Sequence, residues 1–66
     1  MINIINYENK EYRLSTEKVN DKVYETIVSL IENGEIIEDA IYSFRTVGND
    51  DTYNERVVVE YLNSKI

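Results

Sequence analysis

A chain of 66 residues with 13 acidic and 7 basic side chains, net charge −6, and no His, Cys, Pro or Trp reads as one small domain over residues 1–66. Folding at this length buries only about 60% of the unfolded surface, so an enclosed active site is not expected. The missing residue types remove disulfides, thiolate nucleophiles, imidazole bases and the usual zinc sites.

Met1 to Tyr7 lacks the basic start of a secretory leader, and no window approaches the roughly 18 apolar residues of a membrane span. A cytoplasmic, soluble location without membrane contact is expected. Ile2, Ile4 and Ile5, then Tyr7, lead through Glu8, Asn9 and Lys10 into Tyr12 and Leu14, which alternate with Glu11 and Arg13. That pattern predicts a hairpin. Ser15 or Thr16 then offers an N-cap with Glu17 in the first turn, and Val19, Val23, Ile27, Leu30 and Ile31 follow at helical spacing, widened by Tyr24 and Val28. With Asn33 and Gly34 as a stop, the spacing predicts a helix over 16–33.

Residues 36–63 fit two periods. As strands, Ala40, Tyr42, Phe44 and Thr46 share one face, as do Val57, Val59 and Tyr61, with 48–55 as the loop of a second hairpin. As helices, Ile36, Ile37, Ala40, Ile41 and Phe44 form a stripe, and Thr52 and Glu55 have capping-box spacing before Val57, Val58, Tyr61 and Leu62. The β-branched run Val57–Val59 favours strands. The expected fold is therefore α+β: hairpin, helix, hairpin (ββαββ), the helix packed on an antiparallel or mixed sheet, with Val23, Ile27, Leu30, Phe44, Val57 and Val59 as core. The alternative is the N-terminal hairpin followed by a three-helix bundle.

In element order the first arrangement is similar to the β-grasp of ubiquitin and of the immunoglobulin-binding domains of protein G. Under the helical reading, Asn33, Gly34, Ala40, Phe44, Gly48, Asn49, Tyr61 and Leu62 make residues 27–62 resemble a ubiquitin-associated three-helix domain. Gly34 lies between Asn33 and Glu35, where that family carries apolar residues, and no ubiquitin binding is carried over.

Charge is segregated. Residues 1–31 sum to −1, residues 32–55 to −6 with Arg45 the lone base, and the tail from Arg56 adds +1. Such a surface repels nucleic acid and attracts basic partners. Lys10, Arg13, Lys18 and Lys22 are too few for a phosphate track in this chain, so no direct nucleic-acid binding is expected. Adjacent carboxylates, Glu38 with Asp39 and Asp50 with Asp51, point apart rather than pairing as acid and base, and Asp50, Asp51 and Glu55 lack the order of a calcium loop. Neither an enzyme nor a cofactor is implied.

The candidate protein-binding residues are Glu35, Glu38, Asp39, Asp50, Asp51, Tyr53 and Glu55, Tyr53 because it sits among acids with no apolar alternation to bury it. The function expected is a small acidic inhibitor that fills the basic groove of a nucleic-acid-handling enzyme. Small, acidic, cysteine-free chains rich in Ile, Asn and Lys resemble those of phages and mobile elements, anti-CRISPR proteins included. The alternative is a homodimeric structural or regulatory module without nucleic-acid mimicry.

Overall fold

Glu8 at φ 50° and Asn9 at φ 67° make a two-residue turn whose twist matches that of the strands it joins. In the computed structural model, which describes residues 1–65, this turn links β1 (Ile2–Tyr7) to β2 (Lys10–Lys18), antiparallel with Ile5 opposite Tyr12. The first hairpin is as the alternation predicts.

The helix expected over 16–33 is absent. In its place β2 continues to Lys18, a turn reverses the chain, and β3 (Val23–Glu32) runs back, with Thr16 opposite Thr26 and their hydroxyls 2.9 Å apart. The turn is made by Asn20, whose side-chain oxygen accepts from the Lys22 and Val23 amides at 3.0 Å each, an Asx turn. The period-4 stripe coincides with a period-2 one: Tyr24, Thr26, Val28 and Leu30 form one face, Glu25, Ile27 and Ser29 the other. Once β2 is available as an edge, the β-branched content of this segment is better used in a ladder. Asn33 and Gly34, at φ 53° and 80°, are a second two-residue hairpin turn rather than a helix stop.

Strand β4 (Glu35–Val47) completes an antiparallel sheet in the order β1-β2-β3-β4, and α1 (Asp51–Ser64) follows it. The strand assignment over 36–46 agrees with the sequence reading, whereas Val57–Tyr61 is helical. Asp50, extended at φ −130°, caps α1 by accepting from the Thr52 and Tyr53 amides, and Asn54, Val58 and Leu62 line its buried face. Four-residue spacing of buried groups plus a strong cap outweighs the modest helix penalty of three valines. Both the ββαββ order, with its β-grasp likeness, and the three-helix alternative are overturned: the architecture is ββββα.

The core lies between one sheet face and α1. It consists of Ile5, Tyr12, Leu14, Val28, Val58 and Leu62, with Leu30, Phe44 and Val59 packed partly against it. Of the expected core, Val23 and Val57 are half-buried, while Ile27 is 37% exposed on the face opposite the helix. That correction follows from the period: on a helix Ile27 and Leu30 share a face, on a strand they do not. Asn3 donates to Glu55 at 2.7 Å and the Tyr7 hydroxyl donates to Asn63, so α1 runs alongside β1. No helix among the described residues is long and apolar enough to cross a membrane.

Candidate functional site

The fold divides the seven acidic-stretch residues between two ends of the sheet. Glu38 stands opposite Leu30 and Val47 opposite Val23, seven residues of extended chain or roughly 23 Å apart. Glu35, Glu38 and Asp39 lie toward the β3–β4 turn; Asp50, Asp51, Tyr53 and Glu55 lie beyond the other end of β4.

At the turn end much of the charge is engaged. Asp39 accepts from the Ser29 hydroxyl at 2.8 Å inside an irregularity of β4. Glu38 shares a hollow of about 250 Å³ with Lys10 and Lys65. The Lys65 ammonium sits 5.1 Å from the Tyr61 ring centroid, and its pKa is raised, first by its interaction with the Tyr61 side chain. Glu35, next to the turn, remains exposed.

The β4–α1 corner is different. Gly48, at φ 81°, lets the chain leave the sheet, and its amide donates to the Lys22 carbonyl at 2.9 Å. A positive φ there favours the residue without a Cβ. Asn49 and Asp50 then turn the chain into α1. Between the strand end and the first helical turn lies an open groove of about 530 Å³, lined by Arg45, Val47, Gly48, Asp50 and Tyr53 among others. Val47 is 83% and Tyr53 49% exposed on its walls. Asp51 is exposed on the first turn of the helix.

Two of the corner's carboxylates also have structural work. Asp50 is the helix cap, and Glu55 holds Asn3. Among the described residues Asp51 has no hydrogen-bond or ion-pair partner, and it is favourably placed at the positive end of the helix dipole. Arg45 pairs with Glu25 at 3.2 Å across β3–β4, an exposed pair that mainly neutralises the strand locally. Val47 and Arg45 were not among the sequence candidates; an apolar residue immediately before Gly48 was the available signal. Among the described residues no three acidic groups converge as a metal site would require. The corner offers contact chemistry: an aromatic, an aliphatic and carboxylates around a shallow opening.

Searches against protein-family models, curated proteins and solved structures find no match to this chain.

Proposed function

We propose that the chain is a protein-binding domain that takes a basic partner at the β4–α1 corner, with Tyr53 and Val47 as its apolar contacts and Asp51 as its free carboxylate. The observation that carries this is the pairing of two exposed apolar side chains with an acidic helix start around one open groove. Tyrosine is favoured in such positions because a large ring contacts an apolar surface while its hydroxyl stays wet. Asp51 and its neighbours bias the partner's charge and speed encounter.

The finer form of this reading is an inhibitor that occupies a basic nucleic-acid-binding groove, as a phage or mobile-element anti-defence protein would. Net charge −6 supports it. The division of the acids sets its geometry: a partner that engages both groups presents basic side chains over roughly 23 Å, whereas one that engages the corner alone needs a single small basic patch.

Immobilised wild-type chain is compared with D51K and Y53A for capture of a partner from extracts of the source cell. Neither substitution touches the Asp50 cap or the Asn3–Glu55 bond, so folding is retained. Each variant is expected to lose capture by about tenfold or more. Equal capture by all three, or no specific capture by the wild type, contradicts the proposal.

A further inference from the structure

Two of the sheet's hairpin turns share one backbone form and differ in chemistry. Glu8–Asn9 and Asn33–Gly34 are both two-residue turns with positive φ throughout, Asn9 at 67° and Asn33 at 53°. Asn9 is followed by Lys10, which belongs to the closing ladder pair Tyr7–Lys10. Asn33 is followed by Gly34, which lies inside the turn closed by Glu32 and Glu35. Among the described residues the Gly34 amide makes no hydrogen bond to a carbonyl, and a Cβ built at this glycine would meet nothing within 4 Å.

The Asn33 side chain is unengaged as well. Asn3, Asn20, Asn49, Asn54 and Asn63 each hold their side-chain amide groups in hydrogen bonds, whereas Asn33 is exposed and has no such bond among the described residues. Asn6, also exposed, is followed by Tyr7 within β1. The tip that carries Asn33 is weakly held: beyond the register shifts flanking Leu30, the described ladder continues only through Ile31–Ile36 and Glu32–Glu35. That last pair sets two carboxylates directly opposite each other, an unfavourable placement. Such a tip opens locally without unfolding the sheet, which lets the Asn33 backbone rotate away from its turn conformation.

We propose that Asn33 is a site of spontaneous deamidation, with Gly34 as the internal nucleophile and water as the co-reactant. The Gly34 nitrogen loses its proton to solvent and bonds to the Asn33 Cγ; the Cγ–Nδ2 bond breaks, and the nitrogen leaves as ammonia with a proton from solvent. Water then opens the cyclic imide at either carbonyl, leaving aspartate or isoaspartate at position 33. The net change is asparagine plus water to a carboxylic acid plus ammonia. Glycine favours this step because no side chain shields its nitrogen and its backbone bends readily into the ring. The product adds a negative charge between Glu32 and Glu35, and the isoaspartate form lengthens the main chain of a turn matched to two residues. Both changes loosen the tip further. The reaction is independent of the basic partner at the β4–α1 corner, which lies at the other end of β4.

The test ages the full chain in mildly alkaline buffer, native and unfolded in urea, and maps by peptide mass spectrometry where an amide nitrogen has been replaced by oxygen, with isoaspartate read by enzymatic carboxyl methylation. In the native chain Asn33 is expected to convert before every other asparagine, to give isoaspartate as well as aspartate, and to react faster as pH rises, because the nucleophile is the deprotonated amide. Asn9, in the same turn form without a following glycine, is expected to be intact when half of Asn33 has reacted. G34A is expected to slow conversion at position 33. A native Asn33 that remains an amide after the urea-unfolded chain has converted overturns the inference, as does conversion of Asn9 at the rate of Asn33, or a G34A variant that converts as fast as the wild type. If G34A does not fold, the comparison of Asn33 with Asn9 in the native chain decides.

Discussion

Ser29 and Ala40 are locked together across β3 and β4: the buried Ser29 hydroxyl accepts from the Ala40 amide at 3.2 Å while donating to Asp39 at 2.8 Å. Ala40 is held at φ 51°, a left-handed conformation that costs a residue with a Cβ about 1 kcal/mol. A40G should therefore raise stability by about 0.5–1 kcal/mol, read from the urea midpoint. S29A should lower it by about 1–2 kcal/mol, because the Ala40 amide loses its acceptor.

The core assignment separates two aliphatic side chains. Leu14 is 2% exposed between the sheet and α1, while Ile27 faces away from the helix. L14A should cost about 2–5 kcal/mol, close to the whole stability of a small domain. I27A should cost well under half as much. Melting midpoints that rank the two the other way would place the helix on the opposite sheet face.

The start of α1 depends on Asp50 and not on Asp51. D50A should cost about 1 kcal/mol by leaving the Thr52 and Tyr53 amides without an acceptor. D51N should cost no more than a few tenths, the dipole contribution of one exposed charge. Circular dichroism during thermal unfolding distinguishes them.

Alkaline pH should loosen the helix. Tyr7 is held above its ordinary value of 10.0, first by partial burial of its hydroxyl and then by the Glu8 charge, and Lys65 is held above 10.5 by Tyr61. Groups with a raised folded-state pKa contribute stability that is fully present below the unfolded value and lost as pH rises through the folded one. The melting midpoint should be flat, as far as these groups matter, up to about pH 9 and fall above about pH 10. The Tyr7 phenolate can no longer donate to Asn63, so Y7F should flatten part of that fall.

What the sequence displayed and what it hid have a common physical origin. The first hairpin was legible because Tyr12 and Leu14 alternate with charged residues on a strand with only one face buried. Residues 19–31 were misread because Val19, Val23, Ile27, Leu30 and Ile31 satisfy a helical stripe, while Val28 and Leu30 satisfy a strand face equally well. Only Asn20, as a turn former, separated the two, and Asn33–Gly34 fits either a helix stop or a hairpin. At residues 57–61 the error ran the other way: three valines suggested a strand, and the Asp50 cap with Asn54, Val58 and Leu62 made a helix. The acidic corner was visible as charge and as Tyr53. Its groove was not, because Val47 and Arg45 join it only through the chain reversal at Gly48.

The central claim, that the corner recruits a basic protein, is tested most directly by the rate at which the captured partner associates with the wild-type chain as salt is raised from about 50 to about 500 mM, on either side of the ~10 Å Debye length at 0.1 M. Steering by the acidic corner predicts a fall of about tenfold or more, with dissociation changing far less. An association rate that is flat across that range contradicts it.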